Sequence, residues 1–266
     1  MATWWGPIPK MLSKFAKTYP PSALKGAILL LRIKRQADDL IAPAMGLCWR
    51  WHFPFPSPWS HTLLITDAYN SDMSTIGMLE CTIRTKDQPP QVDWKANLCD
   101  NLGEPVDQQG GIYAGHVSDY CNHKQVTLAG IKFLRHISDE KRNAIVAAAM
   151  ALYNSRPKYH YDIPGLGRCL ERFMSRDTKM PKGRKGLLIC SAFCQAAYMM
   201  ADPTFQFAPK KGNFLAVPPD LAIDDDLWFS KLGEPFPPEV KWNRKDVASA
   251  RKRAVKSATD IAKGRM

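Results

Sequence analysis

The chain has 266 residues, 45% of them apolar, which is enough for one sizeable hydrophobic core with additions. Its seven cysteines are odd in number and include no Cys-x-x-Cys pair, which argues against a disulfide framework or a zinc ribbon and favours a reducing compartment. The net charge of +12 is concentrated in residues 241–266, which hold nine Lys or Arg against two Asp.

No secretory signal is expected, because prolines interrupt the N-terminal region and no apolar stretch precedes a cleavage-like site. The best apolar run, residues 26–31, is far shorter than the ~20 residues that a membrane-spanning helix needs. We therefore expect a protein that is cytoplasmic as synthesised and that would be exported only by a signal-independent route.

The predicted organisation is one core flanked by further segments. These are an N-terminal helical or irregular extension over 1–54, a core over 55–205 with an insertion at 86–125, a Pro-rich segment over 206–240 that packs on the core, and a basic helix or tail over 241–266. Within the extension, an irregular start containing Trp and Pro precedes one helix over roughly 22–41. The basic tail is expected to be a solvated helix, and docking on nucleic acid or an anionic membrane is its alternative.

Three strands are predicted in the core, over residues 61–66, 76–84 and 126–134. A helix follows the third strand, with Ser138 as its N-cap, Asp139 and Glu140 in its first turn and an apolar stretch from 145 to 152. Strands that are adjacent in sequence and then followed by helices indicate an α+β domain with an antiparallel sheet.

Cys190 lies between a short apolar stretch and an amphipathic helix. The helix is indicated by apolar residues that follow at helical spacing, namely Phe193, Cys194, Ala197, Tyr198 and Ala201. At a helix N-terminus, unpaired N–H groups and the helix dipole favour the thiolate, which is the reactive form of cysteine. Cys190 is therefore a candidate nucleophile, and a small buried core residue is the alternative.

A thiolate nucleophile needs a base, and the base is in turn held by a third polar group. His61 begins a predicted strand, and pairing this strand with residues 76–84 in a hairpin predicts that Glu80 lies directly across from it on the same face. The prediction depends on the strand register, because a slip of one residue would move Glu80 to the other face.

These residues, in this order, resemble the circularly permuted NlpC-like papain-fold cysteine hydrolases, which include YiiX-type proteins and relatives of lecithin retinol acyltransferase. The resemblance covers roughly residues 55–200 and rests on Ser60-His61 before a strand, the Tyr161-Asp162 pair and the Ile-Cys-Ser start of the helix. It implies a permuted papain-like α+β fold, with the antiparallel sheet packed against helices that include the Cys190 helix.

The resemblance also implies a Cys-His-Glu triad with Cys190 as nucleophile, His61 as general base and Glu80 as orienting group. The backbone N–H of Cys190 would contribute to an oxyanion hole, with Tyr161 and Ser191 in support, and neither a cofactor nor a metal is implied. Ala192 stands where the family usually has a bulkier polar residue, and the insertion at 86–125 is long, so the substrate is less defined than the fold.

The implied function is a cysteine peptidase or amidase that acts through a thioacyl intermediate on cell-wall peptides, as an antibacterial effector if it is exported. Such an effector would be accompanied by an immunity or secretion partner. A lipid acyl hydrolase or acyltransferase of the same fold is one alternative. A non-catalytic module that binds nucleic acid or anionic membrane through the basic tail is another.

Other residues compete for these roles. His116 with Asp119 is a second candidate base, Cys194 is expected to be core, and a metal site at His116, Cys121 and His123 matches no common zinc spacing. Trp59 is a candidate for a substrate rim, and packing of its segment against the core is the alternative. The basic loop before the nucleophile, including Arg184 and Lys185, is a candidate for the part of this rim that attracts anionic groups, and a solvated loop is its alternative.

Overall fold

The computed structural model describes residues 4–33, 59–83, 110–134, 137–156, 159–162, 186–205 and 228–230. Its helices are α1 (Pro7–Thr18), a 3₁₀ turn (Pro21–Leu24), α2 (Ser118–Cys121), α3 (Asp139–Asn154) and α4 (Cys190–Ala201). Its strands are β1 (Ile28–Ile33), β2 (His61–Ile65), β3 (Gly77–Ile83), β4 (Gly110–His116), β5 (Val126–Lys132), β6 (His160–Tyr161), β7 (Leu187–Leu188) and β8 (Trp228–Ser230).

Six of the strands form one sheet in the order β4-β3-β2-β1-β5-β8, and every neighbouring pair is antiparallel. β6 and β7 form a separate short parallel pair. The predicted α+β class with an antiparallel sheet is confirmed, as are the three core strands and the helices that begin near residues 139 and 190.

The helix predicted over 22–41 is wrong, because residues 28–33 form β1 near the middle of the sheet. β1 pairs with β2 on one side and with β5 on the other. A strand that is covered on both faces is apolar throughout and does not alternate, so its sequence resembles a buried helix. The sheet therefore takes one of its inner strands from the segment predicted as an N-terminal extension.

Two hydrophobic clusters cover the two faces of the sheet. One contains Leu29 and Leu31 of β1 together with apolar residues of α1, and the other contains Ile28 and Leu30 together with residues of α3 and α4. This alternation along β1 shows that the sheet is packed between helices.

Two further strands lie outside the predicted strand set. β4 comes from the segment predicted as an insertion, and β8 from the segment predicted to be Pro-rich; they are the two edge strands. Among the described residues, no helix combines the length and apolar character needed to cross a bilayer.

Helix α3 is tied to the sheet at its first turn. Ser138 is its N-cap, as predicted, and its hydroxyl accepts a hydrogen bond from the Lys141 N–H at 3.3 Å. The buried Arg142 guanidinium donates to the carbonyl oxygens of Ala23 at 3.0 Å and Leu134 at 2.6 Å. These bonds join α3 to the 3₁₀ turn before β1 and to the segment after β5.

Candidate active site

Cys190 is the first residue of α4, as the sequence predicts. β7 ends at Leu188, Ile189 is extended with φ −102° and ψ 171°, and no side chain caps the helix. The face that follows Cys190 is buried at four of the five predicted positions, while Ala201 is half-buried. Cys190 itself is only 2% exposed, so its sulfur lies against the core at a helix N-terminus.

His61 is held at the first position of β2. Its backbone is paired with Leu31 of β1. The preceding residue, Ser60, donates its own N–H to the Leu31 carbonyl at 3.0 Å and accepts the Ile33 N–H on its hydroxyl, also at 3.0 Å. These bonds fix the backbone position from which the His61 imidazole projects.

The prediction that Glu80 lies directly across from His61 is wrong. The strands pair at Leu64–Leu79 and Ile65–Met78. Continued, this register places Glu80 opposite Leu63, diagonal to His61. The register differs from the predicted one by two residues, which leaves both side chains on the same face of the sheet. The two groups still meet, because His61 Nε2 lies 2.7 Å from Glu80 Oε2.

The Cys190 thiol and the His61 imidazole are hydrogen-bonded to each other. Since Glu80 engages Nε2, Nδ1 is left for the sulfur. Burial opposes charge on the ring, but the Cys190 thiolate and Glu80 outweigh it and raise the pKa of His61 from 6.5 to about 10. Burial likewise opposes the thiolate, but His61 outweighs it and lowers the pKa of Cys190 below its ordinary value. Both directions favour the thiolate–imidazolium pair over the neutral thiol and imidazole.

Thr62 is a second partner of the nucleophile that the sequence analysis missed. Its backbone N–H and its hydroxyl both hydrogen-bond to the Cys190 sulfur and help to lower the pKa of Cys190. The same hydroxyl oxygen accepts from the Cys194 thiol at 3.8 Å. A signal was available, because strand alternation places residue 62 on the face opposite that of His61, where α4 packs.

Tyr120 of α2 is a second missed residue. Its hydroxyl donates to Glu80 Oε2 at 2.7 Å, the same oxygen that His61 approaches. Glu80 has no exposed surface and Tyr120 only 1%. Tyr120 is 40 residues from Glu80 in sequence, within the predicted insertion, so no local pattern pointed to it.

The predicted supporting residues lie around the start of α4. Tyr161 of β6 is half-buried and is the parallel partner of Leu188 of β7, just before Cys190. The N–H of Asp162 donates to the Leu188 carbonyl at 2.9 Å, and the Asp162 side chain is fully buried. Ser191 is also fully buried, in the first turn of α4.

The predicted substrate rim is corrected in part. Trp59 is 1% exposed and belongs to the cluster beneath α3 and α4, so it is a core residue and not a rim residue. Arg184, Lys185 and the basic tail 241–266 lie outside the described residues.

The competing candidates differ from His61 and Cys190 in their burial and in their hydrogen bonds. His116 is exposed at the end of β4, and its backbone N–H, not its ring, bonds to Asp119 at 3.3 Å. Cys121 is buried in the opposite hydrophobic cluster, where burial raises its pKa to about 12. Cys194 is buried, and burial raises its pKa well above the ordinary value, which confirms its prediction as a core residue.

Within the described part of the chain, no group of three or more His, Cys, Asp or Glu side chains is arranged to hold a metal ion. Comparison with known proteins found no matching family model, no matching curated protein and no matching solved structure.

Proposed function

We propose that the protein is a cysteine hydrolase that cleaves an amide bond through a thioacyl intermediate, with Cys190 as nucleophile, His61 as acid and base, and Glu80 as orienting carboxylate. One observation carries the proposal: a thiol at a helix N-terminus is hydrogen-bonded to an imidazole whose other nitrogen lies 2.7 Å from a fully buried carboxylate. A histidine that only fills space in the core does not need a thiol on one ring nitrogen and a buried carboxylate on the other.

In the acylation step, the Cys190 thiolate attacks the carbonyl carbon and forms a C–S bond while the carbonyl π electrons move to oxygen. The N–H groups of the first turn of α4 stabilise this oxyanion, since they point away from the helix and no side chain caps them. When the tetrahedral intermediate collapses, the C–N bond breaks and His61 gives its Nδ1 proton to the leaving amine.

In the deacylation step, neutral His61 takes a proton from water at Nδ1, while Nε2 keeps its proton and donates it in a hydrogen bond to Glu80. The hydroxide attacks the thioester carbonyl, the C–S bond breaks, and the product leaves as a carboxylic acid that gives its proton to solvent. The imidazolium and the thiolate are thereby restored.

The arrangement supports a permuted papain-like fold as part of this proposal. Histidine on β2 and glutamate on β3 precede cysteine at the start of α4, and α4 packs on the sheet. By its resemblance, the substrate class we propose is the peptide of the bacterial cell wall, with a lipid acyl ester as the second candidate.

The chemistry is tested by measuring alkylation of each cysteine with iodoacetamide across pH, using peptide mass spectrometry to separate the cysteines. A small reagent is needed because Cys190 is only 2% exposed. We expect Cys190 to be alkylated well below pH 9. In His61→Ala, the pH at which alkylation of Cys190 sets in should rise to 9 or above. Cys194→Ala is the matched control and should leave the pH at which Cys190 is alkylated unchanged. If wild-type Cys190 reacts only at the pH of an ordinary thiol, the proposal fails.

The substrate is tested by incubating the wild-type protein and Cys190→Ala with purified peptidoglycan and, separately, with a phospholipid ester. Release of new amino groups from peptidoglycan by the wild type alone supports the amidase. Release of fatty acid alone would replace it with the lipid hydrolase. If neither is released by a Cys190-dependent route, the substrate class is wrong even where Cys190 is reactive.

A further inference from the structure

We infer that Tyr120 is a positioning residue that keeps Glu80 anionic while His61 is neutral, so that its contribution falls on deacylation more than on acylation. The inference rests on the proposed hydrolase function. Its basis is the convergence of two donors, the Tyr120 hydroxyl and the His61 imidazole, on the single oxygen Oε2 of a fully buried carboxylate, each at 2.7 Å.

The need for a second donor arises during turnover. In the resting state, Glu80 faces a positively charged imidazolium, which stabilises its charge. After acylation, His61 has given up a proton, and the buried carboxylate has lost the positive charge of the imidazolium at Oε2. Burial then favours the neutral carboxylic acid. The Tyr120 hydroxyl has no such charge to lose and continues to donate.

Protonation of Glu80 at that stage would disable the base. A carboxylic acid O–H could donate to Nε2, and the imidazole proton would then lie on Nδ1. Nδ1 would have no lone pair to accept a proton from water. Because Oε2 already accepts from Tyr120 as well as from His61, a proton on this oxygen competes with two hydrogen bonds. Tyr120 therefore maintains the tautomer that deacylation requires.

Among the described residues, the charged and titratable groups around this position include groups from three elements besides β3. They are His61 from β2, Tyr120 from α2, and Cys190 and Cys194 from α4, with Cys81 one residue away on β3 itself. Burial raises the pKa of Cys81 and of Cys194 well above ordinary values, so both remain neutral thiols. The charge that changes beside Glu80 during turnover is therefore that of the Cys190–His61 pair.

The experiment compares wild type, Tyr120→Phe and Tyr198→Phe with the activated ester p-nitrophenyl acetate. Release of p-nitrophenol reports acylation in its first phase and deacylation at steady state. Tyr198→Phe is the matched control, because it removes a buried tyrosine hydroxyl that bonds to the Gly26 carbonyl and not to Glu80.

For Tyr120→Phe we expect a steady-state rate about tenfold lower, as for loss of a hydrogen bond to a charged group, with a much smaller change in the first phase. The acid limb of the steady-state rate should move to higher pH, while both phases stay unchanged in Tyr198→Phe. Equal loss in both phases, or a steady-state rate like that of the wild type, would overturn the inference. Absence of a Cys190-dependent first phase in the wild type would instead overturn the proposed function.

Discussion

The His61 imidazole is hydrogen-bonded to the Glu80 carboxylate through one nitrogen and to the Cys190 thiol through the other. The charge on the imidazole and the charge on the thiol therefore depend on each other. The pKa of His61 is raised to about 10 and that of Cys190 is lowered, and between the two values the ion pair persists. Below this range the thiolate gains a proton, and above it His61 loses the proton that the proposed mechanism gives to the leaving amine. Turnover should therefore rise with pH through the lowered pKa of Cys190 and fall again near pH 10.

Glu80→Gln tests the carboxylate in this arrangement. The amide keeps the shape of the side chain but removes the charge that stabilises the imidazolium, so the pKa of His61 falls and that of Cys190 rises. We expect the pH at which Cys190 becomes alkylated to rise by about one pH unit or more. Glu140→Gln, at an exposed position in the first turn of α3, is the matched control. If the pH at which Cys190 becomes alkylated is unchanged in Glu80→Gln, the carboxylate does not act on the Cys190–His61 pair.

Thr62→Val tests the hydrogen bond from the hydroxyl to the sulfur. The backbone N–H of residue 62 remains, so the pKa of Cys190 should rise by no more than on the order of one pH unit, less than in His61→Ala. The pH dependence of the thiolate ultraviolet absorbance measures this shift. Thr127→Val, which removes an exposed hydroxyl on β5, should leave it unchanged. A shift as large as that of His61→Ala would assign Thr62 the dominant role.

The sequence predicted that Cys190, His61 and Glu80 would meet, from a helix start, a strand start and the same face of the next strand, and the structure brings them together. Their catalytic roles stay a prediction. The exact register was not predictable, since the turn between β2 and β3 lacks a two-residue hairpin signal. Tyr120 could not be found, because its role depends on α2 meeting β3 in three dimensions.

At the scale of elements, β1 shows where a local pattern is ambiguous. Its run of buried residues lies between two helical layers, and the same apolar run fits a buried helix. The strands that the sequence identified correctly alternate or begin beside clear polar turns. The strands of the sheet that it missed, β1, β4 and β8, take their identity from their partners in the sheet.

Leu30→Ala tests the importance of β1 to stability. Leu30 is fully buried in the cluster that supports α3 and α4, so we expect a loss of about 2 to 5 kcal/mol in the free energy of unfolding. Urea denaturation measures this loss. Met150→Ala, at a position on α3 that is 38% exposed, should change the free energy of unfolding by less than about 0.5 kcal/mol. A comparable loss in both variants would contradict an inner position for β1.

At the scale of the whole molecule, the sheet joins segments that are far apart in the chain. β1 pairs with residues 61–64 on one side and with residues 126–132 on the other. The parts predicted as separate, the extension before residue 55 and the insertion at 86–125, both supply strands to this sheet. Segment boundaries read from composition did not anticipate this, because composition reports turns and charge but not strand partners.

A chain that starts at residue 55 should consequently fail to fold cooperatively, because β2 and β5 would lose the strand between them. Circular dichroism during urea denaturation measures this, and a chain that starts at residue 4 is the control because it retains every described element. A sharp unfolding transition in the shorter chain would show that the core does not need β1.

The late position of Cys190 in the chain also has a consequence for when the proposed nucleophile would become reactive. During synthesis, β1 emerges early but can find β5 only after about a hundred further residues, and α4 follows later still. Until that helix forms and docks beside His61, Cys190 is an ordinary thiol with its proton in place. If the proposed function holds, a newly made or unfolded chain would therefore be unreactive at Cys190, and the reactivity would arise only when the chain completes its fold.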